Sequence, residues 1–250
     1  MTTLARQDLR LLLADPIPTL MLPVMAVGLM TFIEPAFDAV IADHYGPGFG
    51  GAEQAVPGMA VMFGFFLVAN GAFALFREHE WNTWVRLRVS EIRAVDVLVG
   101  KALLPVTIAL LYFVVVFGFG FTVLGLHRPS SFAALALVVL AFSVTLASLS
   151  LALVAMARSV MEVNALGSLC SLLFAGLGGA LTPYEVLPAW ARAISWISPG
   201  YWAMEGFRAG ILVSEPTRAA MCAMVLLGFA AGFSTLAGLR FRMDETKATA

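Results

Sequence analysis

The sequence predicts an all-α polytopic membrane protein with six transmembrane helices. Charged residues make up 12% of the chain and apolar residues 60%, whereas about a quarter of a soluble domain is charged. Asp, Glu, Lys and Arg are absent from six long windows, at residues 16–33, 54–76, 102–126, 129–157, 163–184 and 219–239. A helix rises about 1.5 Å per residue and the hydrocarbon core is about 30 Å thick, so each window is long enough for one span.

The length of the chain indicates a single domain. Six spans of about 20 residues use roughly 130 residues of the 250. The remaining residues suffice for short connections only, so we expect one transmembrane domain over residues 1–250.

Residues 1–15 mix charged and leucine residues before the first window. This composition predicts an interfacial helix on the membrane surface, with a short solvated tail as the alternative. The first apolar stretch follows these 15 residues and is longer than a signal-peptide core, so we expect no cleavable signal peptide.

The distribution of Lys and Arg predicts the orientation, because short cytoplasmic loops accumulate them. If the N-terminus is cytoplasmic, eleven of the 15 basic residues are inside, and only Arg128, Arg192, Arg208 and Arg218 are outside. The first outer loop carries four acids and no basic residue. Both termini are therefore expected in the cytoplasm, as an even number of spans requires.

The most polar stretch lies between the second and third windows, at residues 77–101. Its charges alternate with Trp81, Trp84 and several aliphatic residues, so a helix here would have one apolar and one charged face. The charged face could dock a cytoplasmic partner. Alternatively, the loop is only an anchor that holds the topology through its positive charge.

Residues 183–214, before the last window, predict a re-entrant helical hairpin in the outer leaflet. The segment is too apolar for a solvated loop, and Pro183, Pro188 and Pro199 interrupt it. Trp190, Ala193, Ile194 and Ile197 have the spacing of a helical apolar stripe. Pro199 and Gly200 predict a turn into a second short helix. Irregular backbone at this depth must be covered, so we expect the hairpin to pack on the bundle.

The second short helix carries Glu205 and Arg208, three positions apart. This spacing allows an ion pair on one face. Ionisable groups at membrane depth are costly and often functional, so the pair is a candidate for an outer gate. Alternatively, both side chains extend to the interface and only position the hairpin.

The cytoplasmic loop and the hairpin together resemble the permease subunits of type-2 ATP-binding-cassette exporters, nearest to the small drug-resistance branch. The family pattern after the second span is matched by Arg77-Glu78, Thr83, Arg86, Arg88, Arg93 and Gly100-Lys101. Its pattern before the last span is matched by Gly178-Gly179, Pro183, Leu187-Pro188, Trp190, Ile194-Ser195, Pro199 and Arg208. The chain departs from the pattern at Asn82, where Gly is common, and at Ser90-Glu91, where Thr-Pro is usual.

The resemblance implies a permease that uses an ATPase on another chain. Two permeases, as a homodimer or heterodimer, would each couple to an ATP-binding-cassette subunit in a bacterial inner membrane, with no nucleic-acid partner. The coupling residues that it implies are Arg77, Glu78, Thr83, Arg86, Arg88 and Arg93. The outer gate is expected at Glu205 and Arg208, from their spacing, together with Pro183 and Pro199 of the matched pattern. No G-x-x-x-x-G-K-S/T motif is present, so ATP and Mg are expected on the partner and no cofactor on this chain.

Two other classes of function are alternatives. An intramembrane enzyme would need a metal triad or a catalytic dyad, but His44, His79 and His127 fall in loops and no acid pair lies within the windows. We therefore expect no metal site and no catalytic residues. A passive channel or scaffold is the third class.

The spans contain few polar residues, so an amphipathic or drug-like cargo is expected, with a lipid or a lipid-linked glycan as the alternative. The scattered hydroxyls, such as Ser143 and Ser148, could line a pathway, but helix packing is the favoured interpretation for each of them. Cys170 and Cys222 lie in separate windows and are interpreted as packing residues.

Overall fold

A computed structural model describes residues 17–45, 50–80, 94–129, 131–157, 159–212 and 215–240. Within these ranges the regular structure is entirely helical. The eight α-helices are α1 (Ile17–Tyr45), α2 (Ala52–Glu80), α3 (Ala94–Thr122), α4 (Phe132–Met156), α5 (Val160–Leu177), α6 (Ala189–Ile194), α7 (Pro199–Ile211) and α8 (Pro216–Arg240). Short 3-10 turns at Tyr184–Val186 and Ser195–Ile197 flank α6. The all-α membrane fold predicted from the sequence is confirmed.

Five of the described helices are long and apolar enough to cross a membrane: α1, α2, α3, α4 and α8. They correspond to five of the six predicted windows. The remaining window, residues 163–184, holds the shorter helix α5, which ends at Leu177. Gly178 and Gly179 follow, and Gly179 has a φ of +76°, a conformation that favours glycine. The chain therefore turns seven residues before the charge-free window ends.

Helices α2 and α4 form the centre of the bundle. Their spanning windows are 83% and 78% buried, whereas those of α1, α3 and α8 are between 22% and 28% buried. Helix α4 packs against α8 and α3, and α2 packs against α1 and α5. The outer helices consequently present most of their apolar surface outward.

Phenylalanines from four helices fill the core. Phe65 of α2 and Phe113 of α3 both contact Phe142 of α4, with ring centroids 5.4 and 5.7 Å apart. Phe207 of α7 contacts Phe142 at 6.3 Å and Phe117 of α3 at 5.0 Å. Aromatic pairs at these separations are favourable beyond the area that they bury. Helix α7 is thereby anchored in the core of the bundle.

Hydroxyl groups in the spans join neighbouring helices. Tyr112 donates to the carbonyl of Met59 at 2.9 Å, and Thr145 donates to that of Leu226 at 2.9 Å. Ser150 donates to the carbonyl of Val68, and Ser171 to that of Phe65, each at 3.0 Å. Such bonds stabilise helix pairs in a membrane. Helix packing was the favoured prediction for these residues, and these four contacts agree with it.

The two short helices predicted before the last span are both present, but they differ in burial. Ten of the thirteen residues of α7 are buried, whereas only Ala191 is buried in α6. The predicted stripe of α6 is exposed, including Trp190 at 67%. The hairpin was expected to pack on the bundle, and α7 supplies this packing, whereas the apolar stripe of α6 does not take part in it. An apolar stripe in a membrane protein can also face lipid, because the surrounding solvent is apolar.

Candidate functional site

The candidate site is a cluster of polar side chains where the first turn of α2 meets the connection after α5 and the helix α7. Arg208 of α7 donates from Nη2 to Oε1 of Gln54 at 2.7 Å. Gln54 in turn donates from Nε2 to the carbonyl of Gly179 at 2.9 Å. Gln54 is 0% exposed and Arg208 is 8% exposed. We call these three residues, Gln54, Gly179 and Arg208, the outer latch, after the side on which the charge distribution predicts them.

Local interactions at the start of α7 position Arg208. Ser198 is the N-cap, accepting from the amide of Gly200 at 3.0 Å and donating to the carbonyl of Phe174 at 2.7 Å. Pro199 occupies the first helical position, where its missing N–H costs nothing. A Cβ on Gly200 would lie 2.3 Å from the Phe174 carbonyl oxygen, so only glycine permits this approach. These contacts join α7 to the end of α5.

The predicted ion pair between Glu205 and Arg208 is not formed. Nη1 of Arg208 lies 3.7 Å from Oε1 of Glu185, while Glu205 pairs with Arg218 in the first turn of α8. Residues three apart on a helix differ by about 60° in direction, because each residue turns about 100°. Arg208 therefore reaches inward to α2, and Glu205 reaches sideways to α8.

A cavity of about 300 Å³ lies between the 3-10 turn, α7 and α8. Two tyrosines, two glutamates, two arginines and two apolar residues line it. The rings of Tyr184 and Tyr201 lie 5.4 Å apart. Burial raises the pKa of Tyr201, and the nearby carboxylate of Glu205 raises it further. The phenol of Tyr201 therefore stays a neutral hydrogen-bond donor at neutral pH.

A second polar contact lies beside the outer latch, at the neighbouring residue of α2. Oε1 of Glu53 lies 2.6 Å from Nδ1 of His127, in the connection after α3. Glu53 also accepts from the amide of Gly50 at 2.9 Å, and Asp38 of α1 accepts from the amide of Gly51. Side chains and backbone amides thus hold the adjoining ends of α1, α2 and α3 together.

Two of the predicted gate residues, Glu205 and Arg208, line one cavity, and two of the predicted coupling residues lie within the described ranges. Pro183 and Pro199 are both buried; Pro183 precedes the 3-10 turn before α6, and Pro199 is the first residue of α7. Arg77 and Glu78 belong to the last turn of α2, at the end opposite Gln54. The predicted coupling residues that lie outside the described ranges are Thr83, Arg86, Arg88 and Arg93. The predicted interfacial segment, residues 1–15, also lies outside them.

Sequence reasoning missed Gln54, Glu185 and Arg218 as partners of the gate residues. The position of Gln54 at the edge of a charge-free window could have predicted that its amide has a hydrogen-bond partner, since intramembrane polar groups usually do. The identity of that partner is not encoded locally, because Arg208 lies 154 positions away. Among the described residues, no group of three or more His, Cys, Asp or Glu side chains could hold a metal ion.

Comparison with known proteins supplies the family. No curated protein gives a significant match to the chain. The family model described as ABC-2 type transporter matches residues 2–212, which include the outer latch, α6 and α7. The type-2 family that the loop and hairpin motifs predicted is thereby confirmed. The chain belongs to the ABC-2 type transporter family, and it is a membrane permease subunit of an ABC exporter.

Proposed function

We propose that this permease exports amphipathic or drug-like molecules out of a bacterial cell, with both of its termini in the cytoplasm. Its family membership implies an ABC ATPase as a partner. The proposal adds the class of cargo, the coupling segment and the outer gate.

One observation supports an amphipathic cargo: the hydroxyl groups within the spans form hydrogen bonds to neighbouring helices. Tyr112, Thr145 and Ser171 each donate to a carbonyl of a neighbouring helix, so their protons are not free to donate to a polar cargo. The exposed side chains of α1 and α5 are largely apolar, including Phe32, Leu169 and Leu172. Such surfaces favour an amphipathic molecule, because a sugar polymer or an ion needs polar partners.

The same exposed faces support pairing with a second permease. In α1 only 22% of the spanning window is buried, and α5 exposes Met161, Leu169 and Leu172. A pathway between two permeases would use such faces, and the cargo would pass along them. The partner is either a second copy of this chain or a related permease.

The coupling segment proposed for the ATPase runs from the end of α2 to the start of α3. Its residues are Arg77, Glu78, Thr83, Arg86, Arg88 and Arg93. ATP and Mg would be bound by the partner subunit. Helix α2 would connect this segment to the outer latch, because Arg77 and Glu78 lie at one end of the helix and Gln54 lies at the other.

The outer gate is proposed at Glu205, Arg208, Pro183 and Pro199. The bond from Arg208 to Gln54 would hold the closed state, because both side chains are nearly inaccessible to solvent. A charge-assisted hydrogen bond in such surroundings is worth about 1.5–3 kcal/mol. Opening would require this bond to be exchanged for water or cargo.

ATP-dependent uptake into inside-out vesicles tests the cargo class. We expect vesicles that contain the permease and its ATPase to accumulate a lipophilic cationic dye and to leave a charged oligosaccharide outside. Arg208→Gln should reduce dye uptake severalfold at equal abundance, whereas Arg192→Gln, on the exposed helix α6, should not. Accumulation of the oligosaccharide instead of the dye would refute the proposed cargo.

Copurification tests the coupling segment. We expect reversal of the charges at Glu78, Arg86 and Arg88 to leave the permease inserted but to release the ATPase. Reversal of Arg192 on α6 serves as the matched control. If the triple variant retains its ATPase and its transport, the segment is only a topological anchor.

A further inference from the structure

The cavity beside the outer latch has the features of a binding site. It is about 300 Å³ in volume, at the lower end of the range for small-molecule sites. Its charged lining comes from three elements, with Glu185 on the 3-10 turn, Glu205 and Arg208 on α7, and Arg218 on α8. The side chain of Arg218 is 50% exposed and that of Arg208 is 9% exposed, so the charges extend from the mouth to the interior.

The four charges of the lining balance. Arg208 faces Glu185, and Arg218 pairs with Glu205. A ligand of one sign would leave an unbalanced charge in a partly enclosed site, which is costly. A zwitterion would keep the site neutral, because its anion and its cation each meet an opposite charge. The lining therefore favours a ligand that carries both signs.

Tyr184 and Tyr201 can contact both the cationic and the anionic group of a zwitterion. Their rings, 5.4 Å apart, offer faces that attract an ammonium group. Their phenol groups can donate to a phosphate oxygen, as can the two guanidinium groups. The carboxylates of Glu185 and Glu205 accept hydrogen bonds from an ammonium group.

Beside the cavity runs an exposed apolar strip of α8. Met221, Met224 and Leu227 are all exposed, and they follow Arg218 at intervals of three residues. Residues at this interval occupy neighbouring positions on a helix surface. An acyl chain attached to a headgroup in the cavity could lie along this strip.

We propose that the cavity binds the headgroup of a zwitterionic phospholipid from the outer leaflet, with the phosphate at Arg218 and the ammonium group at Glu205 and Glu185. The choice of leaflet rests on the orientation in the proposed function. Headgroup binding itself needs neither the ATPase nor transport. Failure of the binding test would therefore not refute the proposed export activity. Failure of the export test would likewise not refute headgroup binding.

Native mass spectrometry of the purified permease measures headgroup selectivity. The protein is reconstituted in nanodiscs with equal amounts of phosphatidylethanolamine and phosphatidylglycerol, and the retained lipid is counted. We expect about tenfold more phosphatidylethanolamine, because one hydrogen bond to a charged group is worth that much or more. No preference, or a preference for phosphatidylglycerol, would overturn the proposal.

Two variants separate the roles of the charges. Glu205→Gln removes an acceptor for the ammonium group and leaves the lining positive, so the preference should reverse toward phosphatidylglycerol. Arg218→Gln removes the phosphate donor, so retention of both lipids should fall severalfold. Arg192→Gln, outside the cavity, should retain the wild-type preference. Unchanged selectivity in both cavity variants would refute the assignment.

A competition experiment distinguishes the lipid from a free headgroup. Soluble phosphoethanolamine at millimolar concentration is added to the permease in nanodiscs of phosphatidylglycerol alone. If the site recognises a lipid, binding of the soluble compound should be at least tenfold weaker than that of phosphatidylethanolamine. Equal binding would identify a water-soluble ligand and overturn the lipid source.

Discussion

Replacement of Gln54 by leucine tests whether the outer latch holds α7 in place. Leucine is similar in size but cannot accept from Arg208 or donate to Gly179. The lost bond to the guanidinium, 2.7 Å long between groups that are 0% and 8% exposed, is worth about 1.5–3 kcal/mol. The lost bond to Gly179 contributes about 1 kcal/mol more. Gln54→Leu should therefore destabilise the permease by about 3 kcal/mol.

Thermal unfolding in detergent measures this effect. For a chain of this length, each kcal/mol corresponds to about 2–4 °C in Tm, so Gln54→Leu should lower Tm by about 6–12 °C. Asn70→Leu is a matched control, because Asn70 is an exposed amide on the same helix. It should change Tm by no more than about 2 °C, as surface substitutions usually do.

A double-mutant cycle refines the test. If Gln54 and Arg208 stabilise the fold through their mutual bond, Gln54→Leu with Arg208→Leu should cost less than the sum of the single changes, by about 1–3 kcal/mol. Strictly additive losses would refute the latch, because they would show that the two side chains act separately. An unchanged Tm in Gln54→Leu would refute it as well.

The remaining predictions concern the second ion pair, the orientation and the aromatic anchor. Because Glu205 and Arg208 have different partners, the variant that carries both Glu205→Gln and Arg208→Gln should be less stable than either single variant, measured by thermal unfolding; a double variant more stable than either single one would contradict these pairings. A cysteine at Gly48 should react with a membrane-impermeant thiol reagent in intact cells, and one at Thr246 should not; the opposite labelling would invert the orientation. Phe207→Ala should lower the stability by about 3–5 kcal/mol, measured by unfolding, and a loss under 1 kcal/mol would show that this side chain does not anchor α7.

The long helices and their order could be predicted from the sequence. Membrane spans need about 20 residues without charges, and this requirement is local. Each of the five longest apolar helices overlaps one predicted window, and the two short helices near Pro188 and Pro199 begin close to these prolines. A span depends only on a continuous stretch of apolar residues, and proline limits a helix at its own position. Both features can therefore be read directly from the sequence.

The partners of the polar side chains could not be predicted in the same way. The spacing of Glu205 and Arg208 permits a pair, but the direction of each side chain depends on which helix lies beside it. Here α2 provides Gln54 and α8 provides Arg218, from opposite ends of the chain. The stripe of Trp190 and Ile194 likewise shows only that the residues are apolar, since lipid and protein neighbours both accept apolar side chains.

Helix α2 gives the outer latch a mechanical connection to the other side of the bundle. Gln54 and Arg77 are 23 residues apart on one uninterrupted helix, a distance of about 35 Å along its axis. If α2 pivots as a rigid body about its Arg77 end, a tilt of about 5° moves Gln54 by about 3 Å, by the same geometry. That displacement is larger than the tolerance of a hydrogen bond, which weakens beyond about 3.2 Å. Such a tilt of α2 would turn a small angular change at one membrane surface into the breaking of a hydrogen bond at the other.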